Sequence, residues 1–336
     1  MKKGMATRGK LGVVMVLLAG TAIAGAPATV KHDESLEEAR RAYEASDYGK
    51  AIEVLEEVSA KEPKNGDIQL LLVKSYLELQ QHDAAIRSAE KAVALDPQNS
   101  IFHEWLGRAY GDKADRAGWF SAISLAKKTR KEFQMAVDLD ERNFSARQAL
   151  VEFDCSAPGL VGGGEEKARP HIQRLMELDA AEGYYAAGNC RRQKKDFGGA
   201  DEEFTKSLES RPRSAELIYD IGDYAMKRAQ PERLFSVAEA GERAAPNDPR
   251  GSFYRGVALV LIKEKPEQAE RLFEEYLGRA PKRNGYPSRA WVHAWLGRLY
   301  QNKNNLAEAR EEFESALRLD PRNKIAQEEL KKLKKN

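Results

Sequence analysis

The stretch "WLGRLYQNKNNLAEAREEFESALRLDP", Trp295–Pro321, decides the fold. Its apolar residues recur three and four apart, which places them on one face of an α-helix. Trp295, Leu296, Leu299 and Tyr300 mark a first helix, and Ala309, Phe313 and Ala316 mark a second. The polar run between them reads as a short turn. Pro321 closes the unit, because proline cannot continue a helix.

The same text recurs along the chain. "WLGRAY" (Trp105–Tyr110), "YYAAGNC" (Tyr184–Cys190) and "LIYDIGDYA" (Leu217–Ala225) repeat the first helix, with a small residue among apolar ones. "YGKAIEVLEEVSAKEP" and "HDAAIRSAEKAVALDP" repeat the second. The closing positions are Pro63, Pro97, Glu141, Ala180, Pro212, Pro246, Pro281 and Pro321, with gaps of 34, 44, 39, 32, 34, 35 and 40 residues. A fixed period of this length is the signature of stacked repeats. No run of alternating β-branched residues predicts a strand.

These residues resemble the tetratricopeptide repeat family. Leu296, Gly297, Tyr300, Ala309, Phe313, Ala316 and Pro321 match its pattern in full. Leu106, Gly107, Tyr110, Phe133 and Ala136 match it in the third unit, and Leu72, Tyr76, Ala85, Ala92 and Pro97 in the second. The fourth and sixth are degenerate: Asp154 stands where the family has Tyr, and Leu234 where it has Ala. The resemblance implies an all-α solenoid of about eight antiparallel helix pairs over residues 33–321, capped by a final helix over 322–336. A lone pair cannot bury its apolar face, so the pairs must stack. Gly or Ala in the first helix of a pair, helix A, lets the second, helix B, approach closely. Exported bacterial tetratricopeptide proteins of unassigned function are similar.

Two gaps exceed the period. One insertion lies near 111–121, where Trp119, Phe120, Ile123 and Leu125 are apolar and are expected to pack, either as a helix extension or as a cover over the concave face. The other lies near 157–164 and contains "GLVGGG", Gly159–Gly164. A triple glycine before a helix could cradle phosphate. But Lys167 is followed by Ala168, so the hydroxyl of a phosphate loop is missing. Glu165 and Glu166 already occupy the helix start, where they would repel an anion. The glycines therefore read as a turn after Pro158.

Lys2, Lys3, Arg8 and Lys10 precede the apolar run "LGVVMVLLAGTAI", which ends in Ala22-Ile23-Ala24. That is the layout of a secretory signal peptide over residues 1–24, followed by a linker over 25–32. Cleavage after Ala26 and an uncleaved anchor are the alternatives. The expected location is the periplasm or the exterior. Losing the four basic residues would move the formal net charge from +2 to −2. No basic field that would attract nucleic acid is then expected.

Cys155 and Cys190 sit late in successive A helices. A bridge needs Cα atoms within about 7 Å, whereas adjacent helices pack at roughly 8–10 Å. The balance favours two free thiols, with one bridge as the alternative. The five histidines are scattered, and no HExxH or G-x-S-x-G occurs. His103, beside Glu104 and Trp105, reads as a packing or surface residue. No catalytic residue, metal or cofactor is expected.

In the family, positions two, five, nine and twelve of helix A line the concave face. The resemblance therefore implies two ladders there. Arg40, Lys74 and Arg108 hold position nine of the first three units, and Tyr185, Tyr219 and Phe253 hold position five of the fifth to seventh. Trp291 and Trp295 follow in the eighth. The expected function is a non-catalytic scaffold of the cell envelope that binds a protein or peptide in this groove. A structural or assembly component of an envelope complex, or an accessory subunit of an envelope enzyme, is the alternative. The Lys and Asn arrangement of members that clamp chaperone tails is not matched.

Overall fold

The structure is a computed structural model that describes residues 28–283 and 285–333. The expected signal segment lies outside the described residues. Among these there are seventeen α-helices and no strand. They pair as α1 (Ala28–Glu44) with α2 (Tyr48–Lys61), α3 (Gly66–Glu78) with α4 (His82–Leu95), and α5 (Ser100–Ala114) with α6 (Trp119–Leu139). Next come α7 (Phe144–Ser156) with α8 (Glu165–Leu178), α9 (Ala180–Gln193) with α10 (Phe197–Glu209), and α11 (Ala215–Lys227) with α12 (Pro231–Ala244). The series ends with α13 (Arg250–Ile262) and α14 (Pro266–Arg279), α15 (Arg289–Asn302) and α16 (Leu306–Leu319), and a single α17 (Lys324–Leu333). α1 begins inside the stretch read as linker.

Local chemistry sets the helix ends. Asn65, Asn99 and Asn143 cap α3, α5 and α7, each side chain accepting from backbone N–H groups of the first turn. This satisfies donors that the helix itself leaves unpaired. Asp47 and Asp196 do the same for α2 and α10.

The glycine of helix A marks the closest approach within a pair. A Cβ on Gly107 would lie 2.7 Å from the Phe133 ring, and one on Gly297 2.5 Å from Phe313. Large aromatics of the B helices fill the space that the missing side chains leave. The resulting core runs through the stack, with Phe204, Phe253, Phe273 and Phe313 fully buried.

Successive A helices touch one another in most units, as in α3 with α5, α7 with α9 and α13 with α15. Among B helices, sustained contact is confined to α10 with α12. The A helices thus form the inner layer of a curved stack. The curvature brings the first units near the last: Tyr48 and Glu78 line one cavity with Tyr276, Tyr286 and Asp320. At the far end α17 lays Ala326 and Leu330 against the final pair.

Two expectations are corrected. Cys155 and Cys190 are joined by a disulfide, with Cα atoms 5.4 Å apart. α7 and α9 approach closely because Ala186 is a small residue at their contact, packed with Val151. The interaxial distance of an average helix pair therefore does not apply. The insertion near 111–121 does not pack throughout. It lengthens α6, but Trp119 is 71% exposed and Phe120 87%, while Ile123 and Leu125 are half-buried.

The "GLVGGG" stretch is a turn between α7 and α8. Gly162 and Gly164 adopt φ of +101° and +145°, which only glycine enters freely. A Cβ on Gly163 would sit 2.1 Å from the Ala157 carbonyl oxygen. The Gly164 N–H donates to the Asp154 carbonyl at 2.7 Å, and the Lys167 ammonium donates to the Gly162 carbonyl. These bonds tie the turn to the two helices that it joins.

Candidate functional site

The residue after the family's small position in each A helix forms a row, broken where Val257 is fully buried in the core. The small positions are Ala39, Val73, Gly107, Val151, Gly188, Gly222, Gly256 and Gly297, so the row reads Arg40, Lys74, Arg108, Glu152, Asn189, Asp223, Val257 and Arg298. Its start is basic and its middle acidic. The bases were legible from their 34-residue spacing. Glu152 and Asp223 were not read as members, because the insertion near 111–121 puts Glu152 44 residues after Arg108 and Asp154 takes the place of the usual Tyr.

Neighbours along the row act on one another. Burial pulls the Lys74 ammonium below the ordinary lysine range, with Glu104 opposing and Arg40 and Arg108 adding to the shift. Trp105 lies between two cations, with the Lys74 nitrogen 4.9 Å and the Arg108 guanidinium 5.6 Å from its ring centre. Such contacts contribute about 0.5–1 kcal/mol each at exposed sites. Arg108 also donates to Glu104 at 3.0 Å and to Ser145 at 2.8 Å. Arg40 is exposed, 3.6 Å from Glu37. Burial raises the Glu152 and Asp223 carboxyls; nearby Arg192 opposes it at Glu152, and a hydrogen bond from Tyr254 opposes it at Asp223.

The aromatic ladder stands otherwise. Tyr219, Phe253 and Trp295 are buried to 2% exposure or less and belong to the core. Tyr219 stacks on Tyr254 with centroids 5.5 Å apart, and Phe253 packs against Phe273 and Tyr276. Position five faces the neighbouring pair here, so these side chains offer no surface to a partner. Tyr185 and Trp291 are half-buried. The Tyr185 hydroxyl donates to Asp220 at 3.1 Å, and Arg192 donates to the same carboxylate. Trp291 packs on the core edge.

Other chemistry-bearing groups are engaged in structure. His103 is buried between Glu132, 2.6 Å from Nδ1, and the Pro97 carbonyl, 3.1 Å from Nε2. His293 pairs with Glu312 at 2.7 Å. Among the described residues no group of three or more His, Cys, Asp or Glu is placed to hold a metal. No described helix is long and apolar enough to cross a membrane.

Family models described as tetratricopeptide repeat match residues 42–109, 181–214 and 290–323. The chain is a tetratricopeptide repeat protein. Proteins of this family typically act as protein-interaction scaffolds. Two curated proteins are similar. "Anaphase-promoting complex subunit 7" of Arabidopsis thaliana is 22% identical over 323 residues, covering 86% of this chain and 54% of the relative. "Type IV pilus assembly protein PilF" of Pseudomonas aeruginosa is 23% identical over 159 residues, covering 46% of this chain and 62% of the relative. The chain thus spans a little over half of each relative's length. Among solved structures, one titled for Pseudomonas aeruginosa pilF aligns with TM-score 0.43 and 15% identity, covering 80% of this chain and 97% of that one. The Cut9–Hcn1 structure aligns with TM-score 0.49 and 16% identity, covering 91% and 57%.

Proposed function

We propose that this tetratricopeptide protein is an exported, non-catalytic scaffold of the cell envelope that binds a protein or peptide along its inner face. The observation that supports this reading most is the row Arg40, Lys74 and Arg108, with Trp105 held between two of its cations. Cations spaced one repeat apart meet successive acidic groups of an extended chain, and an indole among them adds an apolar contact. Each exposed charge pair contributes only about 0.2–1 kcal/mol and weakens with salt. Selectivity then comes from the register of several weak contacts.

The test joins location to binding. Protein recovered from the envelope fraction should have an intact mass lacking about the first 24 residues, since a signal peptide is removed on export. Immobilised protein should retain a partner from envelope extract, identified by mass spectrometry. The Arg40→Ala/Lys74→Ala protein, with an unchanged helical signal, should lose it, whereas Arg318→Ala on a B helix should keep it. Full retention by the folded double variant would sink the groove assignment. A full-length mass confined to the cytoplasm would sink the export.

A further inference from the structure

The two insertions meet. The extended end of the α5–α6 pair and the glycine turn after α7 enclose a cavity of about 590 Å³, lined by Trp119, Ile123, Phe133, Phe153, Leu160 and Val161. Trp119 is 71% and Leu160 63% exposed at its edge. Large apolar side chains from two separate insertions thus converge on one opening. Neither insertion is needed to stack the repeats. Exposed apolar surface of this kind marks an interaction site.

The charges at the opening are one-sided. Asp112, Asp115 and Glu152 line the same cavity, together with Arg108. Arg108 is held by Glu104. Among the described residues, none of the three carboxylates forms an ion pair. The nearby bases are turned elsewhere: Lys113 pairs with Asp83, Arg116 donates to the Asp112 backbone carbonyl, and Arg192 pairs with Asp220. The rim therefore carries three carboxylates against Arg108, whose guanidinium is engaged by Glu104 and Ser145.

We propose that this cavity docks an amphipathic segment of a partner protein, with apolar side chains entering between Trp119 and Leu160 and a lysine or arginine meeting Asp112, Asp115 and Glu152. This rests on the scaffold reading and adds a second, chemically opposite site to it. The basic row takes an acidic stretch of a partner, and the acidic rim takes a basic one. The sites share Arg108 at their border, but Arg40 and Lys74 belong to the basic row alone and Trp119 and Leu160 to the cavity alone, so either can fail alone.

The probes are a short amphipathic peptide of leucine and lysine and its leucine–glutamate counterpart, each measured by fluorescence anisotropy against the full chain. The leucine–lysine peptide should bind and the leucine–glutamate peptide should not. Trp119→Ala/Leu160→Ala, which removes exposed side chains, should weaken binding roughly tenfold or more, as expected for an apolar anchor. Asp115→Asn/Glu152→Gln should weaken it by roughly two- to fivefold and flatten its salt dependence. Arg40→Ala/Lys74→Ala should leave it unchanged, and loss of the envelope partner in that variant alone would speak only to the basic row. Equal binding of both peptides, or unchanged binding to the Trp119/Leu160 variant, would overturn the proposal. So would self-association of the chain that the same variant abolishes, which would give the cavity to a second copy. Retention on neutral phosphatidylcholine vesicles that depends on Trp119 would give it to a membrane and overturn it as well.

Discussion

Arg130 of α6 donates twice to Asp154 of α7, at 2.8 and 3.0 Å, and the carboxylate it meets is fully buried. This pair explains the degenerate fourth unit. Where the family pattern has a tyrosine, the chain has an acid, and a guanidinium from the preceding unit satisfies it. Removing one member of a buried pair costs about 3–5 kcal/mol, because the other is left uncompensated. Arg130→Ala should therefore destabilise more than Asp154→Asn, which keeps a neutral acceptor for Arg130. Urea unfolding of both variants measures this, and equal midpoints would show that the buried charge is not what matters.

Gly297→Ala tests the closest approach between α15 and α16. Helix propensity alone favours alanine by about 1 kcal/mol. The added Cβ, however, would lie 2.5 Å from the Phe313 ring. Overpacking of this kind typically costs about 1–3 kcal/mol, so the melting temperature should fall. A second change, Phe313→Leu, should recover part of the loss. A single variant that melts higher than the parent would mean that the helices separate freely.

Alkaline stability should report on tyrosines that bridge to carboxylates. Burial and the Glu56 carboxylate push the Tyr76 phenol from its ordinary 10 up to about 12, and burial and Asp201 do the same for Tyr224. Both hydroxyls donate, Tyr76 to Glu56 at 2.5 Å and Tyr224 to Asp201 at 2.8 Å. A folded value above the unfolded one makes the stabilisation complete below pH of about 10 and lost as pH rises through about 12. Urea midpoints of the parent should fall steeply across that window. Those of Tyr76→Phe/Tyr224→Phe should start lower and fall less, and parallel curves would contradict the assignment.

The disulfide gives a direct count. Thiol titration in denaturant without reductant should find none, and after reduction two. A loop of this size should stabilise by about 3–4 kcal/mol on the chain-entropy view. Reduction, or Cys155→Ser/Cys190→Ser, should thus lower the unfolding temperature of the middle repeats. Two free thiols in the oxidised protein would refute the bridge.

The repeat was legible because its causes are local. Spacing of apolar residues, the small residue of most A helices and the proline that closes most units each act within one unit. The glycine turn was legible too, since Glu165, Glu166 and Ala168 exclude a phosphate loop by their identity alone. The facing of position five was not. Tyr219 and Phe253 repeat at 34 residues whether they look into the groove or into the next pair, and periodicity does not distinguish these. The bridge was missed because the gap between α7 and α9 depends on the size of residues such as Ala186. Asn65, Asn99 and Asn143 were an available signal for helix starts: each stands two residues after the end of the preceding unit. Trp119 and Phe120 were expected to pack because they are apolar, yet they stand exposed at the start of α6.

The bridge between α7 and α9 also divides the chain as a mechanical object. A solenoid pulled from its ends lengthens by peeling one repeat from the next, since each is held only by its neighbours. Load arriving at Cys155 passes through sulfur to Cys190, 35 positions further on, and bypasses all that lies between. α8 and the glycine turn carry no tension. At about 3.4 Å per residue, roughly 120 Å of contour stays hidden at any force that spares the bridge. Reductant would release it as a single added length, and the middle of the protein would then extend like its flanks.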